Sequence, residues 1–241
     1  MARAIGVHQL INKKFKTLPF TGDWYRCIGE PGANFRCFVM GDSANGKTTF
    51  ITLMCKMLAN LDMGKVAYNS IEEGESSSIK QSWIDMNMAE VAGKIVLIDK
   101  EPMKEFIDRL KKTRAIKFAV IDSIQMSRMN AAQYDELKKA AGKRIALIFI
   151  SHSDGRLPVG ALAKEIRYDA DIKIYVEGFV AMVKSRFGKK GGFVIWKEGS
   201  EDYWGGSLQY LIGGKSIREA TLHSKGKGTA GTPTNQIKMA I

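Results

Sequence analysis

The chain has 241 residues, 45% of them hydrophobic and 26% charged. These values exclude wholesale disorder and allow a self-sufficient core, since a chain of this size buries roughly 70–75% of its unfolded surface. Lys and Arg total 37 against 25 Asp and Glu, a formal net charge of +12, and such an excess attracts polyanions: nucleic acid, acidic membrane or nucleotide phosphates. Cys27, Cys37 and Cys55 form no CxxC pair, so neither zinc-site spacing nor a disulfide framework is present, and a reducing compartment fits. No apolar run approaches the ~20 residues that span a bilayer, and no signal-peptide core follows Arg3. The expectation is a soluble cytoplasmic protein without a membrane partner, built as one large domain with appendages.

The N-terminal segment, 1–34, places Ile5, Val7, Leu10, Ile11, Phe15, Leu18 and Phe20 among several lysines. It is expected either to pack on a neighbouring subunit or to fold back on its own sheet. From Phe35 the rhythm is a short apolar run, a turn, then an amphipathic stretch. Phe35–Met40 reads as a strand, and Thr48–Leu61 as a helix with Phe50, Leu53, Met54, Met57, Leu58 and Leu61 on one face. Lys65–Ser70 is the next strand, and Ser76–Val91 a helix opened by a capping serine cluster. Strand Lys94–Ile98, helix Met103–Thr113, strand Phe118–Ile121, helix Ala131–Ala141 and strand Ile145–Ile150 follow. Strands apolar on both faces that alternate with helices predict a largely parallel central sheet with helices on both faces, an α/β fold. After a helix near Ala161–Tyr168, strands Ile172–Val176, Val180–Val183 and Phe193–Trp196 are joined so briefly that they read as C-terminal antiparallel hairpins. The main domain is expected over 35–212. From Gly213 to the end, Gly, Ser, Thr and Lys predominate, and a flexible basic tail is expected.

Gly41-Asp42-Ser43-Ala44-Asn45-Gly46-Lys47-Thr48 fits G-x-x-x-x-G-K-[ST] between a predicted strand and a predicted helix. The glycines let the backbone curl its N–H groups around a phosphate, and the helix adds its positive end. Lys47 is expected at the β- and γ-phosphates and the Thr48 hydroxyl on Mg2+, with Thr49 completing the phosphate-binding run. A P-loop also needs an acidic residue at the end of a neighbouring apolar strand to hold the metal. Asp122, after Phe118-Ala119-Val120-Ile121, and Asp99, after Ile95-Val96-Leu97-Ile98, both qualify. Hydrolysis requires a group that activates water, and Glu72 or Glu73, just past Lys65–Ser70, could serve through a single water. Trp24 and Tyr25 fit either proximity to adenine or core packing.

With these segments together, the sequence resembles a RecA-fold P-loop ATPase over residues 35–200, and most of all the ATPase core of bacterial RadA-type DNA-repair proteins, which are related to DnaB-type helicases. Ser70-Ile71-Glu72-Glu73-Gly74 resembles that family's S-G-E-E-S, making Glu72 the matching catalytic glutamate. Val120-Ile121-Asp122-Ser123-Ile124-Gln125 resembles its V-I-D-S-I-Q, which favours Asp122 over Asp99. His152 falls where the family senses the γ-phosphate. Val183-Lys184-Ser185-Arg186-Phe187-Gly188 differs at one position from V-K-N-R-F-G. The resemblance implies that Lys184 and Arg186 act in trans on a neighbour's nucleotide, where such an arginine is worth about 10³–10⁵ in rate. Two residues two apart on a strand share a face, as a cationic pair requires.

RecA-like proteins also contact DNA through loops after the metal-binding and sensor strands, which here hold Arg128 and Arg156, with Lys164 and Arg167 on the helix beyond. Such cations meet phosphates without reading sequence. The expected function is therefore an oligomeric ATPase, ring or filament, hydrolysing ATP with Mg2+ and coupling it to single-stranded DNA in recombination, repair or replication. RadA-type proteins also carry a four-cysteine zinc module and a protease-like domain, and neither has a counterpart in this sequence. A stripped architecture of this kind suits a phage or other mobile element. The alternative is an ATP-gated regulatory or scaffold protein of KaiC-like type whose partner is a protein.

Overall fold

The computed structural model describes residues 4–225. A short helix α1 (Val7–Ile11) and helix α2 (Gly22–Ile28) precede strand β1 (Arg36–Met40) and helix α3 (Lys47–Asn60). Strand β2 (Lys65–Ser70), helix α4 (Ser77–Asp85), strand β3 (Ile95–Asp99), helix α5 (Met103–Lys112) and strand β4 (Ile116–Asp122) continue the alternation. Helices α6 (Ile124–Ser127) and α7 (Ala131–Ala141) lead to β5 (Ala146–Ser151), and a small ribbon of β6 (Ser153–Asp154) and β7 (Leu157–Pro158) precedes α8 (Ala161–Asp169). Strands β8 (Ile172–Glu177), β9 (Val180–Ser185) and β10 (Lys190–Val194) are followed by α9 (Lys197–Trp204), α10 (Leu208–Ile212) and α11 (Ile217–Lys225).

The main sheet has eight strands in the order β10-β9-β8-β1-β5-β4-β2-β3. Its strands from β8 to β3 pair in parallel, while β8-β9 and β9-β10 are antiparallel. Successive side chains of a strand point to opposite faces, and here both faces are roofed. Cys37 and Val39 of β1, with Phe118 and Val120 of β4, join Phe50, Met54 and Leu58 of α3 in one core. Phe38 and Met40 of β1, with Ala119 and Ile121 of β4, join Phe106, Leu110, Tyr134 and Leu137 in the other. Burial on both sides is why these strands read as continuous apolar runs. The expected fold class is borne out.

Several boundaries differ from expectation, each for a local reason. The helix expected over Ser76–Val91 breaks after Asp85, where Asn87 adopts φ +48, and resumes as a 3-10 turn over Met88–Val91. Gly191 and Gly192, which fall between the expected strands Val180–Val183 and Phe193–Trp196, are strand residues of β10. They are small because neighbours lie directly on them: a Cβ at Gly192 would come within 3.0 Å of the Leu211 carbonyl oxygen. The strand expected to reach Trp196 therefore ends at Val194. The tail expected from Gly213 instead carries α11, opened by a reciprocal cap in which the Ser216 amide donates to Glu219 Oε2 (2.7 Å) and the Glu219 amide to Ser216 Oγ (3.3 Å). Ala220 on this helix is fully buried. The remainder of the expected tail, 226–241, lies outside the described residues.

The N-terminal segment divides in two. Residues of α1 are all exposed, as are Ile5 and Phe15. From Thr17, which bridges Gly32, the chain folds back, and Leu18, Phe20, Cys27 and Ile28 enter the α3-side core. Arg26 of α2 fastens this layer by donating to the carbonyl oxygens of Ile212 (3.0 Å) and Gly192 (3.1 Å). Trp24 stacks on Phe193 (4.5 Å between centroids) and Phe50 (5.6 Å), which makes it a core residue. Because Leu18 is 1% exposed, Leu18→Ala is expected to destabilise the whole domain by about 2–5 kcal/mol. A urea midpoint unchanged from the parent would show that this segment is dispensable to the core.

Candidate functional site

The phosphate-loop residues follow β1 at the C-terminal edge of the parallel strands. Gly41 has to be glycine, because a Cβ there would lie 2.2 Å from the Val176 carbonyl oxygen on β8. Gly46 adopts φ +92 and starts α3, whose first turn (Lys47, Thr48, Thr49) contains no acidic residue. The N–H groups and positive end of that helix therefore face an anion site without an internal competitor. Asn45 Oδ1 accepts from the Gly178 amide (2.8 Å), and the Asp42 side chain accepts from the Ser153 hydroxyl, so the loop is tied to both neighbouring turns. Lys47 Nζ donates to the Asp42 carbonyl oxygen (2.9 Å), curling over the loop. Partial burial pulls its ammonium below the usual lysine range, opposed by the charges of Glu72, Asp122 and Asp42.

Asp122 ends β4, separated from β1 in the sheet by β5 alone. Tyr68 of β2, fully buried, donates its hydroxyl to Asp122 Oδ2 at 2.6 Å. Burial pushes the Asp122 carboxyl up to about 6; Tyr68 and Lys47 oppose that rise, and the charges of Glu72 and Glu73 add to it. Asp99, the competing carboxylate, stands on edge strand β3, where its Oδ1 accepts from the Glu75 amide (3.1 Å). Only Asp122 is therefore near the loop lysine. Among the described residues no group of three or more His, Cys, Asp or Glu could hold a metal by itself. Mg2+ commonly takes one or two protein oxygens and completes its shell with phosphates and water. The Thr48 hydroxyl and the Asp122 carboxylate are such a donor set, and a carboxylate crowded by burial and other carboxylates gains from a cation.

Because the folded pKa of Asp122 lies above the unfolded value of 3.8, the folded state binds the extra proton. Stability from this group is greatest at low pH and is lost as pH rises through about 6. Asp122→Asn is thus expected to gain on the parent, on the order of 3 kcal/mol, between pH 4 and 7 in Mg2+-free buffer. Parallel urea-midpoint curves for the two proteins would contradict it.

The amides of Ile71 (2.6 Å) and Glu72 (2.9 Å) both donate to the Asp122 carbonyl oxygen. The turn after β2 is thereby folded over the end of β4, and Glu72 is delivered to the site. Its Oε2 lies 2.7 Å from His152 Nε2, just past β5, and Ser123 Oγ lies 3.3 Å from the same nitrogen. Burial pushes the Glu72 carboxyl up, but the hydrogen bonds from His152 and Ser123 and the charges of His152 and Lys47 outweigh it, leaving the carboxyl below its usual range. Glu72 is therefore an ionised acceptor. Glu73 points elsewhere: its Oε2 accepts from the hydroxyls of Ser78 (2.6 Å) and Ser76 (3.3 Å) at the start of α4. Gln125 clasps the sensor segment, donating to Ser151 Oγ (2.9 Å) and the Val159 carbonyl (2.7 Å) while accepting from the His152 amide (3.0 Å).

The other expected residues lie apart from this cluster. Lys184 is on β9 and Arg186 just beyond its last residue, at the opposite ends of the strands from the phosphate loop. Arg186 N donates to the Asp171 carbonyl (2.9 Å), and its guanidinium meets Asp171 Oδ1 at 3.2 Å. The strand thus ends before Arg186, and the same-face argument covers Lys184 alone. Arg128 is exposed at the end of α6, and Arg156, in the turn between β6 and β7, lies 3.7 Å from Glu177. Lys164 is exposed and Arg167 half-exposed on α8. The described residues include no helix long and apolar enough to cross a membrane.

Sequence reasoning missed Tyr68 and Ser153. Their roles depend on cross-strand neighbours that spacing along the chain does not reveal.

No protein-family profile matches the chain, and no curated protein matches it. Among solved structures, a KaiC-like protein from the hyperthermophilic archaeon Pyrococcus horikoshii is 16% identical, with a TM-score of 0.52 over 75% of this chain and 92% of that one. The flagellar accessory protein FlaH from Methanocaldococcus jannaschii is also 16% identical, with a TM-score of 0.51 over 78% of this chain and 90% of that one. The fold is RecA-like. At this identity the likeness concerns the path of the chain and leaves the chemistry to the residues themselves.

Proposed function

We propose that this chain is a Mg2+-dependent ATP hydrolase that works as an oligomer, a hexameric ring or a filament, and couples turnover to single-stranded DNA. The observation that carries the reading is the convergence of Lys47, Asp122, Glu72 and His152 at one sheet edge, with Glu72 Oε2 2.7 Å from His152 Nε2. The amides of the phosphate loop and Lys47 bind the β- and γ-phosphates. Glu72 orients a water and takes its proton as the water oxygen bonds to the γ-phosphorus. The bond to the β,γ-bridging oxygen breaks, and ADP leaves. Thr48 and Asp122 would hold Mg2+, which would supply neutralisation of charge on the phosphate oxygens. His152, which shares the Glu72 carboxylate, is placed to register whether a γ-phosphate is present.

Oligomeric action is supported by the remoteness of Lys184 and Arg186 from their own loop, and by the exposed apolar residues of α1. The match of Val183–Gly188 to the RadA-type signature supports a role in recombination, repair or replication. Arg128 and Arg156 lie on the segments that follow β4 and β5, with Lys164 on the helix beyond, and their place in the chain after the strands that carry Asp122 and His152 supports coupling between nucleotide state and DNA grip. The test is ATPase rate against protein concentration, with and without single-stranded DNA. The rate per subunit is expected to rise with concentration and again with DNA. Turnover by a monomer indifferent to DNA would defeat the reading.

The structural likeness to a KaiC-like protein favours a second reading, in which ATP gates assembly with a protein partner. No measurable DNA affinity at low salt, with nucleotide-dependent capture of a defined protein, would select it.

A further inference from the structure

The phosphate loop borders a group of aromatic side chains that the hydrolytic machinery does not use. The turn between β8 and β9, Gly178–Phe179, is fastened to the loop by the Gly178 amide on Asn45 Oδ1 (2.8 Å). Phe179 sits at φ +59, a conformation uncommon outside glycine, held by the Ile195 amide on its carbonyl oxygen (2.8 Å). Its ring reaches the start of α3: a Cβ on Gly46 would lie 3.3 Å from Phe179 Cδ1. Trp196 meets Phe179 edge-on, 4.9 Å between centroids at 80°. Its flank rests on α9, so closely that a Cβ on Gly199 would lie 2.1 Å from Trp196 Cε3. An indole fixed by a backbone on one side and a ring edge on another is nonetheless 52% exposed. Large exposed aromatics held rigid in this way are binding surfaces, since their apolar area is left in water without a packing reason.

We propose that the Trp196 indole, braced by Phe179 and Gly199, is the stacking platform for the nucleobase of the nucleotide whose phosphates lie in the loop. The inference rests on the reading of Gly41–Thr48 as a triphosphate cradle. Contiguity selects the occupant: Phe179 touches the residue that opens the phosphate-binding helix, so a nucleotide anchored there carries its base toward these rings. Every nucleobase has a π-face, and stacking on an aromatic side chain is worth roughly a 5- to 150-fold change in affinity per base.

The test uses the full chain and compares Mg2+-ATP with Mg2+-tripolyphosphate, which has the phosphates and no base, by calorimetry. Trp196→Ala is expected to weaken ATP about 5- to 150-fold and to leave tripolyphosphate affinity unchanged, while Trp196→Phe restores most of the ATP affinity. Gly199→Ala, which favours the α9 helix but displaces the indole, should mimic Trp196→Ala and so separate loss of the platform from loss of fold. ATP binding by Trp196→Ala at the parental affinity would overturn the proposal. So would equal losses for both ligands, which would make Trp196 a support of the loop. A parent protein that binds neither ligand would remove the phosphate cradle itself, and the platform with it.

Discussion

Arg186→Ala is expected to lower ATP turnover by about 10³–10⁵-fold, the range found when an arginine is withdrawn from a transferring γ-phosphate. The geometry keeps that arginine away from its own phosphate loop. Arg186 is level with Asp171, before the first residue of β8, whereas the phosphate loop is level with the end of that strand. At about 3.3 Å per residue the two ends are roughly 20 Å apart, beyond the reach of the side chain. Its own chain holds it on Asp171 at 3.2 Å, in a pair whose arginine is 58% exposed. Such half-solvated pairs contribute roughly 0–1 kcal/mol, so releasing Arg186 to another subunit costs little and its removal should not unfold the domain. Mixing Arg186→Ala with Lys47→Ala, each inactive alone, should restore turnover, because the first supplies an intact loop and the second an intact arginine. Failure of the mixture, or full activity of Arg186→Ala at every concentration, would exclude action in trans.

Glu72→Gln is expected to reduce turnover by about 10²–10⁴-fold while leaving ATP affinity within the parental range. Glutamine preserves the shape of the side chain and a partner for His152, but it cannot take a proton from water. Glu73→Gln is the internal control, since Glu73 serves the serines that open α4. The measurement is single-turnover hydrolysis beside equilibrium nucleotide binding. A larger loss from Glu73→Gln than from Glu72→Gln would reverse the assignment of roles.

Much of this arrangement is legible along the chain because it depends on neighbours in sequence. The phosphate loop is one continuous segment between a strand and a helix, and the two-faced burial of β1, β4 and β5 is written in uninterrupted apolar runs. Asp122 and Asp99 both end apolar strands; the flanking Ser123-Ile124-Gln125 favours Asp122 by resemblance, and strand order adds the physical reason, since of the two strands β4 lies nearer β1. The contact between Glu72 and His152, 80 residues apart, follows from the parallel register that brings the ends of β2, β4 and β5 together. The C-terminal helices were obscured for a different reason. Glycines at 191 and 192 look like a turn, yet they mark where α10 lies on the sheet. The Ser216–Glu219 cap was present in the sequence, but a short helix with few apolar residues gave it no periodic run to open.

The placement of Arg186 and the phosphate loop at opposite ends of the same strands also constrains quaternary symmetry. If each catalytic centre is completed by a partner, donor and acceptor surfaces are different patches, and a two-fold pair satisfies both members only where one contact spans the two patches. A head-to-tail contact needs only one donor and one acceptor patch per interface, and it closes into a ring or winds into a helix, which would give the assembly a direction. In a helix one terminal protomer always lacks a donor, so catalytic capacity per chain climbs with the length of the polymer and reaches its full value only where the ends join.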